Sequence, residues 1–149
     1  MAYELQHGGY LLSDDRSRLN VDVIHRYLAE ESYWARGATR EIVECAVENS
    51  LCIGAYANTG EQIGLIRAVT DYATFAWVCD VFVLDAHRRR GLAKAMVKAM
   101  LAHPRLSSLR RFTLGTRDAH GLYAQFGFTP LAAPERWMER VNPNWNQPR

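Results

Sequence analysis

Arg88, Arg89, Arg90, Gly91, Leu92 and Ala93 form the stretch of this chain best suited to holding an anionic ligand. They follow an almost continuously apolar run, Phe75 to Leu84, whose character predicts a strand buried on both faces. After them Leu92, Met96 and Met100 fall in one row and Ala93, Val97 and Leu101 in the next, the spacing of an amphipathic helix that Pro104 ends. The first N–H groups of such a helix lack intrahelical acceptors, and the helix dipole adds positive character there, so a phosphate fits. Gly91 and the small Ala93 let a ligand approach the backbone, while the arginines add charge and forked donors. An arginine run by itself also reads as a solvated helix start. Its position between a buried strand and an amphipathic helix is what favours a bound pyrophosphate. Neither a Walker loop nor a G-x-G-x-x-G dinucleotide fingerprint is present.

In R-x-x-G-x-A, carried by Arg88, Gly91 and Ala93, the chain resembles the GNAT superfamily of N-acetyltransferases, whose signature here is [QR]-x-x-G-x-[GA]. A second segment, Leu122, Tyr123, Gly127 and Phe128, is similar to the family's L-Y-x-x-x-G-F. The resemblance covers nearly the whole chain in element order. It implies acetyl-CoA as acyl donor, its pyrophosphate on the backbone of Arg88 to Ala93 and its pantetheine arm along Val81, Phe82 and Val83. It implies direct attack by an amine on the thioester through a tetrahedral intermediate, with a backbone N–H of Val81 to Val83 facing the oxyanion. Tyr123 is then the acid that protonates the departing thiolate, since a phenol keeps its proton at neutral pH. The bland alternative for Tyr123 is a helix tyrosine filling space beside Phe126 and Phe128. Family members often carry an asparagine before this helix; Thr116 and Asp118 stand nearby instead, and no asparagine role is carried over.

Asp80 is the candidate base, directly or through water, with a structural acceptor at a strand end as the competing reading. Glu30 and Glu31 read as solvated. Substrate choice in relatives depends on the loop between the first two helices, which makes Tyr33 and Trp34 the candidate acceptor-contacting residues; Trp34 reads equally as an anchor for the loop. The acceptor itself stays open among polyamine, amino acid, antibiotic amine and protein. A small-molecule amine is the first expectation, with a protein amine or a non-catalytic acyl-CoA sensor as alternatives. Homodimers are common in families that this chain resembles.

The remaining residues must position these groups. The 149 residues predict one domain, 1–149, with 48% hydrophobic and 23% charged residues. Eighteen basic against 16 acidic residues give a net charge of +2, too balanced for a nucleic-acid or membrane surface as the main business. Cys45, Cys52 and Cys79 form no C-x-x-C, and no histidine lies at zinc-ligand spacing, so no metal is expected. With no signal-like N-terminus and no apolar run of spanning length, the expected location is the cytoplasm. Gly9 to Ser13 reads as a first strand, and Asn20 or Asp22 caps a helix carrying Val21, Ile24 and Leu28. Glu30 to Gly37 reads as a loop, and Thr39 caps a second helix through Val47. Leu51 to Ala57 and Gln62 to Thr70 read as a hairpin turned at Asn58-Thr59-Gly60. Phe112 to Gly115 reads as a strand, Asp118 to Phe126 as a helix, and Phe128 to Leu131 and Arg136 to Val141 as closing strands. The order is β-α-α-β-β-β-α-β-α-β-β, an α/β (α+β) fold with a mixed, mostly antiparallel sheet flanked by helices.

Overall fold

The computed structural model describes residues 1–148. A six-stranded sheet runs in chain order: β1 (Glu4–His7), β2 (Tyr10–Ser13), β3 (Leu51–Tyr56), β4 (Gln62–Thr70), β5 (Phe75–Val83) and β6 (Arg111–Thr113). All neighbours are antiparallel except β5 and β6, which are parallel. Helices α1 (Val21–Arg26) and α2 (Arg40–Glu48) cover one face, and α3 (Leu92–Leu101) the other. Helix α4 (His120–Ala124) follows β6 and adds Tyr123 to the α3-side core. No helix among the described residues is long and apolar enough to cross a membrane.

The α/β class and the mixed, mostly antiparallel sheet agree with the sequence reading. The first strand is preceded by another, because Gly8 and Gly9 at φ +52° and +86° supply the two positive-φ residues of a tight hairpin between His7 and Tyr10. Asn20 caps α1 by accepting from the N–H groups of Asp22 and Val23, and Thr39 caps α2 by accepting from Ile42. The predicted first helix, which carries Leu28, turns π-helical over Tyr27–Glu31 and so runs into the start of the predicted Glu30–Gly37 loop, with the Ser32 N–H bonded to the Tyr27 carbonyl. This wider turn buries both Tyr27 and Leu28.

Three expectations are corrected. Phe128 to Leu131 and Arg136 to Val141 are not strands: Pro130 and Pro134 remove backbone donors, the segment carries only a short 3-10 turn at Pro134–Arg136, and Leu131, Met138 and Val141 are exposed. The helix that carries Tyr123 is shorter than expected, His120–Ala124. Strand β5 is not buried on both faces along its length, since Phe75 and Trp77 are exposed while Ala76 and Val78 lie in the α3-side core.

The two cores meet at a β-bulge. Leu65 pairs with Phe82 but Arg67 pairs with Cys79, so Ile66 alone opposes both Asp80 and Val81. One extra residue exchanges the faces of a strand. Before it, Ala76 and Val78 point to the α3 side; after it, Phe82 joins the α1–α2 core and Val83 the α3 core. On the α3 side Leu92, Met96 and Met100 pack on the sheet as their spacing predicts, with Met96 fully buried. Met96→Ala is expected to cost about 2–5 kcal/mol of stability by cavity formation, read as a lower urea midpoint at unchanged slope.

Candidate active site

Strand β6 pairs with β5 only from Phe75 to Trp77. Past Trp77 the two strands part, and the β6-facing edge of β5 from Val78 to Val83 has no strand partner among the described residues. Two clefts occupy this opening. One, of about 520 Å³, runs from Val81 along Val83 and Arg88 to Gly91, Ala93 and Tyr123. The other, of about 380 Å³, lies between Tyr33, Trp34, Trp77, Asp80, Asp118 and Tyr123. Val81, Ala119 and Tyr123 line both. A larger hollow of about 800 Å³ lies beyond β6, between Arg111 and Trp137; Gly127 and Phe128 of the second motif border it, but Asp80, Tyr123 and the Arg88–Ala93 loop do not. The two smaller clefts carry the chemistry-bearing side chains and are therefore the candidate site.

The first cleft ends at the amino terminus of α3. Gly91 caps this helix at φ +74° without any side-chain bond to its free N–H groups, and its first turn holds no acidic residue. Arg89 is also left-handed at φ +64°. A substituent on Gly91 would lie 3.4 Å from the His7 ring, whose Nε2–H donates to the Arg90 carbonyl at 2.8 Å. The first strand thus anchors the loop, as does Tyr10, whose hydroxyl is 2.8 Å from His87 Nδ1. Arg88 is half-exposed but, unlike its neighbours, has three partners. Its Nε donates to the Val83 carbonyl at 3.0 Å, one terminal nitrogen to Asp85 at 3.2 Å and the other to the Tyr27 hydroxyl at 3.2 Å. Arg89 and Arg90 are exposed and have no side-chain partner among the described residues. Uncapped N–H groups, an open backbone and two free guanidiniums fit a pyrophosphate.

Asp80 occupies the bulge at φ +51°, a conformation that Asp tolerates better than most residues. Its carboxylate is buried and both oxygens are engaged: Arg67 Nε donates to Oδ2 at 2.6 Å and Trp34 Nε1 to Oδ1 at 2.7 Å. Arg67 also donates to the Ser50 hydroxyl at 2.8 Å, which in turn donates to the Ala46 carbonyl in α2. This chain of bonds ties the bulge to α2 and fixes the ring of Trp34. Tyr33 packs edge-on against Trp34, and its hydroxyl accepts from the Arg117 N–H at 2.9 Å, closing the roof onto the β6–α4 loop. Glu30 and Glu31 face solvent.

Tyr123 is largely buried beneath this roof, edge-on to Phe128. Burial, with a smaller contribution from Tyr33, raises its phenol above the ordinary value of 10.0, so it holds its proton throughout the neutral range. Burial likewise pushes the Cys79 thiol up to about 12, which leaves it an inert wall residue. Sequence reasoning missed Tyr27, Arg67 and Trp77. Tyr27 stacks on Phe82 with ring centroids 4.1 Å apart at 9°, Arg67 holds Asp80, and Trp77 lines the second cleft. None sits in a spacing pattern; only the fold brings them together.

Residues 21–128 match the profile of the acetyltransferase (GNAT) family. The chain belongs to this family. A crystal structure of a GNAT-family protein from Xanthomonas campestris pv. campestris superposes with a TM-score of 0.90 at 44% identity, covering 96% of this chain and 100% of that one. A protein of Gibberella zeae named as an acetyltransferase is 31% identical, over 79% of this chain and 77% of its own. A GNAT-family acetyltransferase from Streptococcus pneumoniae aligns with a TM-score of 0.67 at 25% identity, covering 96% and 99%. This acetyltransferase therefore carries its family match through Phe128, and the irregular segment that follows lies outside it.

The Arg67–Asp80 pair is nearly dry, with side-chain exposures of 15% and 7%. Arg67→Met strands a buried carboxylate and is expected to lower stability by about 3–5 kcal/mol in chemical denaturation. Adding Asp80→Asn removes the unpaired charge and restores part of the loss.

Proposed function

We propose that this acetyltransferase moves an acetyl group from acetyl-CoA to a primary amine of a small molecule. The observation that carries the reading is that the α3 cleft and the aromatic cleft share Val81, Ala119 and Tyr123. A donor and an acceptor bound one in each would meet beside a phenol and a free strand edge. The loop Arg88–Ala93 suits the pyrophosphate through backbone N–H groups, with Arg89 and Arg90 adding charge and Arg88 bracing the loop from within. Val81, Phe82 and Val83 offer an unpaired edge to an amide-bearing arm, and one of their N–H groups is the donor for the oxyanion.

When bound, acetyl-CoA supplies the thioester: the amine lone pair forms a C–N bond, the C–S bond breaks, and the sulfur leaves with one proton. Tyr123 provides that proton from its hydroxyl, which burial keeps protonated. The amine loses its own proton to solvent at the cleft mouth, and the Tyr123 phenolate regains one from solvent. Asp80, with both oxygens already accepting from Arg67 and Trp34, acts in this reading as the positioning residue that holds bulge and roof, in place of the base expected from sequence. Tyr33 and Trp34 wall the acceptor side.

The test follows CoA release with a thiol reagent across small amines and peptides. Tyr123→Phe is expected to lower kcat by about 10²–10⁴-fold while leaving acetyl-CoA affinity unchanged. Release only with peptides would move the acceptor to a protein amine; binding without any release would leave an acyl-CoA sensor. A raised phenol pKa means the acid form is complete at low pH and is lost only as pH rises through that value. The wild-type rate should therefore show no descending limb from Tyr123 below about pH 10.

A further inference from the structure

We infer that the acceptor is a primary amine carried on an apolar body, aryl or alkyl, without a carboxylate or phosphate. The inference rests on the transferase reading and concerns the aromatic cleft alone. Besides the buried Tyr123, three exposed rings border that cleft: Tyr33, Trp34 and Trp77, exposed by 42%, 39% and 40%. At this exposure each ring keeps an open face that is free to cover a ligand. Trp34 is held in place by its Nε1 bond to Asp80, and Tyr33 by its bond from Arg117 and its edge-on contact with Trp34. Two of the three rings are thus already fixed, an arrangement that receives an apolar body or a cation at low ordering cost.

The charge around the cleft points the same way. Asp80 and Asp118 line it, and no Lys, Arg or His stands among its described lining residues. Of the guanidiniums nearby, Arg67 is bound to Asp80 and Ser50, while Arg117 stands outside the cleft lining, over the Tyr33 ring at 3.9 Å from its centroid and 3.5 Å from Asp118. A carboxylate or phosphate drawn into this space would give up its water without gaining a cationic partner from the lining. An ammonium would meet ring faces on its way in and the exposed Asp118 carboxylate at the mouth, where its proton can pass to water before attack. At about 380 Å³ the space admits a small amine with one ring or a short chain.

The experiment compares matched amines in the CoA-release assay: 2-phenylethylamine against phenylalanine, and glucosamine against glucosamine 6-phosphate. The member without the anion is expected to have a kcat/KM at least about tenfold higher in each pair, with 2-phenylethylamine the best of the four. Trp77→Ala should raise the KM for 2-phenylethylamine about five- to tenfold with acetyl-CoA affinity unchanged, and Trp77→Phe should restore most of it. Equal rates within the pairs, or an advantage of the anionic members that Arg117→Gln removes, would overturn the inference and leave the transferase reading intact. Acetyl-CoA binding with no release from any of the four, nor from the wider amine set, would overturn both.

Discussion

Between the Leu65–Phe82 and Arg67–Cys79 pairs, β5 carries one residue more than β4, and Asp80 absorbs the excess in a left-handed conformation. Such a backbone costs of order 1–3 kcal/mol for a residue with a side chain. It persists here because Arg67 and Trp34 grip the carboxylate from two directions. The bulge also adds local twist to the strand, and it lies in the part of β5 that β6 has already left. With Phe82 turned to the α1–α2 core and Val83 to the α3 core, β5 reaches the loop before α3 with its free edge toward the opening. Both clefts depend on that exchange of faces. With an uninterrupted register, Phe82 would share a face with Ala76 and Val78, Tyr27 would lose its stacking partner, and the Tyr27 hydroxyl would not stand ready for Arg88.

A buried ion pair is a weak means of gaining stability, since hydrophobic residues of similar volume often serve as well. What Arg67 and Asp80 supply is direction. A guanidinium donates along fixed lines, and here those lines join α2 through Ser50, the bulge through Asp80 and, beyond it, the indole of Trp34. Apolar substitutes would fill the space but would leave the indole N–H unpartnered and the roof without a fixed angle. The site is therefore assembled from three sequence-distant segments by one polar chain whose every link is 2.8 Å or shorter.

Much of this was legible in the chain itself. The run from Phe75 to Leu101 announces strand, loop and helix because burial imposes a period there, and the L-Y-x-x-x-G-F segment marks the helix of Tyr123. The bulge was not legible, because register belongs to a pair of strands and neither strand records it alone. The closing strands failed for the opposite reason. Leu131, Trp137, Met138 and Val141 have the composition of strands, yet a strand needs a partner edge, and two prolines and the absence of pairing leave these side chains exposed. The hairpin at Gly8 and Gly9 was hidden because β1 buries almost nothing and so shows no apolar alternation. Trp77 was one tryptophan among four in the sequence; only its place on the exposed face of β5 separates it from the rest.

The arginine run shows how neighbours of one residue type divide in the fold. Read as a sequence, Arg88, Arg89 and Arg90 look like three equivalent charges around a helix start. In the fold they divide, because Arg88 follows a 3-10 turn that directs its side chain back along β5, while the left-handed Arg89 reverses the chain before Gly91. Arg88 then satisfies the Val83 carbonyl at the end of the strand and fastens it to Tyr27 on the other face of the sheet. A point charge could not replace it, since the three partners lie in three directions that only a planar fork spans. In the proposed reading, positive charge toward a ligand is left to Arg89, Arg90 and the uncapped N–H groups of α3. Those N–H groups are the part of the proposed anion site whose position is fixed by the backbone, and Arg88 contributes by keeping that backbone where the strand ends.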